Sequence, residues 1–230
     1  MAMHLRRSDR ISALAALVTA TLIGIGLAPY TGEAGRASGD AGSPTLLDVE
    51  FGPAQIWSPP RDVLPSLFQC QQRLGCVSQV MLANGASPDA VAFFHLTSWL
   101  LSDIQDTGPV QLGTIFVPWR ANENTQTAFL GGMPAVVYPE QEGKSLTPSL
   151  ERDADYQAIL AAHPDMMFWA PGPTVEGMEP APDGGQRFLL RYRLLDGCHA
   201  CAILGWVHVA FDFAPDSTYE GLRLLGVETT

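Results

Sequence analysis

Arg187–Phe213 reads RFLLRYRLLDGCHACAILGWVHVAFDF, and it decides the fold. In its first half the even positions Phe188, Leu190, Tyr192 and Leu194 are apolar. In its second half the odd positions Ile203, Val207, Val209, Phe211 and Phe213 are apolar. A period of two marks a strand with one buried face. Two such runs around a turn near residues 196–201 predict an antiparallel hairpin. Arg187, Arg191 and Arg193 then share the polar face with Trp206, His208 and Asp212, and a register slip of two residues leaves that face unchanged.

Working outward, Leu222–Val227 offers a further strand. Upstream, Val110–Trp119 is rich in β-branched and aromatic residues, and Thr125–Leu130 and Ala135–Tyr138 flank Gly131-Gly132 as a hairpin would. The stretch after Trp169 holds Pro171, Pro173, Pro180 and Pro182 with Gly172, Gly177, Gly184 and Gly185, and reads as a surface loop. Near the other end the period changes. Leu67, Cys70, Leu74, Val77 and Met81 recur at steps of three and four, predicting a helix from about Pro65 that Gly85 stops. Ser87-Pro88-Asp89 starts a second helix with a cap, a proline in the first turn and an acid beside the helix dipole. That helix carries Val91, Phe94, His95, Ser98, Trp99 and Leu101 towards Asp103. A third is expected from Thr147-Pro148 to His163-Pro164. Helices first, mostly antiparallel strands later and no βαβ alternation define an α+β class: an N-terminal antiparallel helix pair packed on a mostly antiparallel β-sheet, stabilised by disulfides.

The chain has 230 residues, 13 Lys+Arg against 24 Asp+Glu, a net charge of -11, and a single lysine, Lys144. That acidity excludes a general nucleic-acid binder, which needs clustered cations. At 47% hydrophobic and 16% charged residues the chain is too apolar to be disordered. Arg6, Arg7 and Arg10 precede an uncharged, largely apolar run, Ile11–Ala28, and small residues follow up to Ala34, the three parts of a secretory signal. Residues 1–34 are therefore read as a signal peptide cut after Ala34, with an uncleaved anchor as the alternative; only the anchor would bring a membrane into contact. Cleavage takes three cations and two anions, leaving 10 against 22 and a net charge of -12. Residues 35–47 form a flexible lead-in and 48–230 a single domain, periplasmic or extracellular.

The four cysteines, Cys70, Cys76, Cys198 and Cys201, suit an exported chain whose cysteines pair. On a continuous helix Cys70 and Cys76 would stand about 9 Å apart, beyond the usual limit of about 6.8 Å for bridged Cα atoms. Cross-links to Cys198 and Cys201 are then favoured, and a local Cys70–Cys76 bond needs the helix to break at Gly75. Cys198-His199-Ala200-Cys201 also permits thiol–disulfide exchange, or half a metal site completed by His199 or His208. The strand pattern that follows it removes the helix dipole that would activate Cys198.

Two function classes follow. The first is a non-enzymatic binding or structural domain without a cofactor, taking a protein or small anionic ligand through Arg187, Arg191, Arg193, Trp206 and His208. The alternative is an exported thiol or metal protein using Cys198, His199 and Cys201. No hydrolase, zinc-protease or phosphate-loop motif occurs in the mature region, and no motif resembles a characterised family. Trp57, Trp119 and Trp169 lie near prolines, an arrangement shared by sugar-binding surfaces and by ordinary core or edge packing.

Overall fold

The computed structural model describes residues 51–230, so the signal reading of 1–34 and the lead-in of 35–47 lie outside the described residues. Three helices come first: α1 (Leu64–Cys70), α2 (Leu74–Ala83) and α3 (Pro88–Thr97). A four-stranded antiparallel sheet follows in the order β1 (Leu100–Gln105), β2 (Gln111–Phe116), β3 (Thr125–Leu130) and β4 (Val136–Val137). Three short helices, α4 (Pro139–Gly143), α5 (Thr147–Leu150) and α6 (Ala154–Ala162), lead to a second antiparallel sheet. Its order is β5 (Met166–Pro180), β6 (Gln186–Asp196), β7 (Ile203–Phe213) and β8 (Tyr219–Thr229). The α+β class holds, with two sheets in place of one. Among the described residues no helix is long and apolar enough to cross a membrane.

The first sheet is the middle layer, because its strands alternate between two cores. Ala128 and Leu130 face one way and pack with Leu101, Ile115 and Phe93 of α3. Phe129 faces the other way, its ring centroid 4.6 Å from Phe188, 5.0 Å from Phe211 and 5.4 Å from Phe213. The second core is closed by the inward faces of β6 and β7, where Phe188, Leu190, Tyr192, Leu194, Val207 and Val209 are fully buried. Burying a side chain of this size contributes about 1.5–3 kcal/mol, and this alternating hairpin supplies more than half of the buried side chains of that core. Tyr192 is buried whole because its hydroxyl donates to the Pro139 carbonyl at 2.6 Å, which also anchors the start of α4. A third cluster joins α1 and α2 to α3 through Leu67, Val77, Met81, Ala90 and Phe94.

Several expectations need correction. The first helix is two helices. Gln71 and Gln72 take left-handed backbone (φ 47° and 65°), and the break falls before Gly75, which sits inside α2. Leu74 consequently leaves the apolar stripe and is exposed. The second helix starts as expected, with Ser87 Oγ accepting from Ala90 N at 3.0 Å. It ends early, because Ser98 turns left-handed (φ 63°) and Thr97 Oγ1 takes the Trp99 N–H at 3.1 Å. Trp99, Leu101 and Asp103 therefore lie beyond α3, the latter two on β1. The third helix breaks after Leu150, and Asp153 caps α6 by accepting from Tyr156 N at 2.9 Å. The loop expected after Trp169 is mostly strand β5. Its pairing to β6 steps from Trp169↔Arg193 to Thr174↔Arg191, so residues 170–173 bulge out of the ladder. Pro171 and Pro173 have no N–H for that ladder, which is why it skips there.

Candidate functional site

The deciding hairpin pairs Arg187 with Asp212, Arg191 with His208 and Arg193 with Trp206, so all six lie on the outer face of the second sheet. Neighbouring strands fill that face with carboxylates. Arg187 Nε contacts Asp212 Oδ1 at 2.5 Å and its Nη1 contacts Glu179 at 3.2 Å. These partners hold the Arg187 guanidinium protonated more tightly than usual, the Asp212 hydrogen bond first. Asp212 also reaches Arg223 at 3.3 Å. Arg191 stacks over Trp206, with Cζ 4.1 Å from the ring centroid, and its Nε lies 3.6 Å from Glu176. His208 is held between Glu176 at Nδ1 (2.8 Å) and Glu228 at Nε2 (3.0 Å). These two carboxylates meet opposite edges of the imidazole and cannot converge with it on one ion. An anion reaching this face meets four carboxylates; Arg187 and Arg193 are each hydrogen-bonded to a carboxylate, while Arg191 lies 3.6 Å from Glu176 and its buried Nε makes no hydrogen bond among the described residues.

The turn that joins β6 to β7 is closed by Asp196 N to Ala202 O (3.0 Å) and Cys201 N to Cys198 O (3.1 Å). Cys198 and Cys201 are joined to each other, with Cα atoms 5.1 Å apart, and Cys70 is joined to Cys76 at 5.5 Å. The cross-links expected from a continuous helix do not form, because the break at Gln71-Gln72 brings Cys70 and Cys76 together. With both cysteines of the turn paired, neither presents a thiolate to a metal. Among the described residues no group of three or more His, Cys, Asp and Glu side chains is arranged to hold a metal ion. The residue after the turn enters β7, so no helix N-terminus faces Cys198.

Beneath this turn lies a cleft that sequence reasoning missed. It has a volume of about 420 Å³ and is walled by the β2–β3 loop (Arg120 to Glu123), Glu140 of α4, Trp169 and Pro171 of the β5 bulge, and His199. Glu123 is its hub. The carboxylate accepts from Arg193 Nη2 and, at 2.6 Å, from Trp169 Nε1, and lies 3.3 Å from His199 Nε2. The His199 ring is tilted against Trp169 at 4.8 Å. Arg193 is therefore withdrawn from the arginine face into the cleft wall; burial lowers its pKa, and Glu123 is the carboxylate it meets. Across the cleft Arg120 and Glu140 form a two-pronged pair at 2.6 and 3.0 Å.

Buried Gln126 joins two walls: its amide donates to the Glu123 carbonyl at 2.5 Å and accepts from Gly172 N at 2.9 Å. Gly172 has φ +60°, and a Cβ there would press on the Glu123 carboxyl. Of the three tryptophans near prolines, Trp57 is buried in the helical core and Trp119 packs on it, while Trp169 lines the cleft. No family model matches the chain, and no curated protein or solved structure is significantly similar to it.

Proposed function

We propose that this is an exported, non-catalytic binding domain whose ligand enters the cleft beneath the Cys198–Cys201 turn. One observation carries the reading. Trp169, Glu123, the Arg120–Glu140 pair and His199 converge on one open cavity, and each is held by a partner in the chain before any ligand arrives. Small-molecule sites combine such an apolar wall with a few placed polar groups. The arginine face is the weaker surface for the small anion expected from the sequence, since its cations are already paired. Export is supported by Arg6, Arg7 and Arg10 ahead of Ile11–Ala28 and by four cysteines that are all bonded.

Protein-observed NMR with a fragment library tests the site. Shifts are expected to gather on the Trp169 indole N–H and the backbone of 120–123; hits confined to the Arg187–Trp206 face refute it. Export is tested by expressing the full chain in a bacterium and sequencing the N-terminus of the exported fraction. A start at Gly35 supports the reading, and cytoplasmic protein retaining residues 1–34 refutes it.

A second reading, thiol–disulfide exchange, is favoured by the exposure of both Cys198 and Cys201. Against it stands the absence of a helix dipole to stabilise a thiolate. Catalysed reduction of an intact peptide disulfide, with a dithiol as the reductant that regenerates Cys198 and Cys201 and with the activity lost in Cys198→Ser, would establish it.

A further inference from the structure

Resting on the cleft as the binding site, we infer that its ligand is a neutral, hydroxyl-rich ring: a sugar residue. Charge narrows the class first. Glu123 and Glu140 both face the cavity and occupy Arg193 and Arg120, so an anion finds no arginine there free of a carboxylate. Each carboxylate already holds an arginine, Arg193 on Glu123 and Arg120 on Glu140, so a cation would have to displace a partly buried ion pair. A neutral guest meets neither penalty.

Hydrogen bonding narrows it further. The paired guanidinium and carboxylate of Arg120 and Glu140 present donors and acceptors side by side in one plane. Their fork uses one N–H on each Nη and one lone pair on each oxygen, leaving others to a guest. Adjacent hydroxyls, each able to donate and accept, match such an edge. Asn122 on the same wall is exposed and its amide has no partner among the described residues, so it adds a donor and an acceptor.

The apolar wall supplies the rest. The Trp169 ring cannot swing, because its N–H is fixed on Glu123 and His199 leans against it. With Pro171 beside it, the indole is a preset flat surface for the C–H face of a pyranose. A volume of about 420 Å³ lies at the lower end of the range of about 300–1,000 Å³ for small-molecule sites, enough for one or two rings.

The experiment titrates the oxidised chain from residue 35 to 230 with maltose, cellobiose and N,N′-diacetylchitobiose, and separately with choline and glucuronate, by tryptophan fluorescence and saturation-transfer NMR. At least one neutral disaccharide is expected to saturate in the millimolar range, weakened about tenfold or more by Trp169→Ala. Asn122→Ala, which removes no internal bond, should weaken it severalfold with an unchanged circular dichroism spectrum; Trp206→Ala, on the arginine face, should bind as wild type. Binding of choline or glucuronate alone, lost in Trp169→Ala, overturns the sugar assignment and leaves the cleft reading standing. Silence of all five probes, with no fragment shifting Trp169, overturns both. Sugar binding that survives both Trp169→Ala and Asn122→Ala places the site elsewhere and overturns the inference.

Discussion

Replacing Glu123 by alanine tests whether one carboxylate holds the cleft together. The change strands Arg193 and the Trp169 indole N–H and removes the acceptor nearest His199. A hydrogen bond to a charged group contributes about 1.5–3 kcal/mol, and breaking a fully buried pair costs about 3–5 kcal/mol. The Arg193 side chain is 25% exposed, so water reaches part of the guanidinium. The lower part of that range applies, about 3 kcal/mol for the two lost bonds together. Backbone geometry adds a sharper criterion. Glu123 has φ 50°, in the left-handed region, where a side chain with a Cβ costs roughly 1–2 kcal/mol and glycine costs little.

Allowing for the freedom glycine gains when unfolded, Glu123→Gly should be more stable than Glu123→Ala by about 0.5–1 kcal/mol, the reverse of the usual order. At about 2–4 °C per kcal/mol for a domain of this size, the alanine variant should lose roughly 6–12 °C in Tm. Denaturant unfolding under non-reducing conditions, followed by circular dichroism, measures both values. An alanine variant within 0.5 kcal/mol of wild type (about the spread of a neutral surface change) refutes the hub. An alanine variant more stable than the glycine variant refutes the left-handed geometry.

Three further outcomes are expected. Cys198 and Cys201 are exposed whereas Cys70 is 1% exposed, so timed reduction with a dithiol and alkylation should label Cys198 and Cys201 first; labelling of Cys70 first contradicts that order. Burial holds the Tyr138, Tyr192 and Tyr219 hydroxyls protonated well above the ordinary range. Unfolded tyrosine loses its proton from about pH 10, so the contribution of these three tyrosines to stability is complete below that pH and falls above it. Three of the five tyrosines should then ionise only as the circular dichroism collapses, and gradual ionisation of the folded protein would count against their burial. Finally, a Cβ on Gly185 would collide with the Phe213 carbonyl across the sheet. Gly185→Ala should cost about 3 kcal/mol or more, and a variant unfolding at the wild-type midpoint would show that the strands can part there without loss.

The β6–β7 hairpin was legible in the sequence because Phe188, Leu190, Tyr192 and Leu194 recur at every second position and are buried while the intervening Leu189, Arg191 and Arg193 are half-buried, and period two admits only a strand. The helix starts were legible where a residue type does one job, as at Ser87-Pro88. Helix ends were less so. The breaks at Gln71-Gln72 and Ser98 use left-handed backbone at residues other than glycine, which local preference argues against. Strand β5 was hidden by its prolines, which mark a bulge as readily as a loop.

Of the site, His199 is visible through its cysteine neighbours, and Trp169 beside Pro171 has an arrangement shared by sugar-binding surfaces and ordinary packing. Arg120, Glu123 and Glu140 were not visible, because they come from one loop and one short helix and reach the cleft only through the stacking of two sheets. Arg193 was legible as a cation on the polar face, but its turn towards Glu123 depends on a loop some seventy residues away in sequence.

Both disulfides join neighbours in sequence, the first cysteine to the second and the third to the fourth. A chain emerging N-terminus first can therefore complete each bond inside a segment already delivered, without waiting for the rest of the protein. No disulfide ties the helical layer to the second sheet. Oxidation can thus run ahead of assembly, and the final docking of helices on sheets is left to apolar packing and a few hydrogen bonds such as Tyr192 to the Pro139 carbonyl.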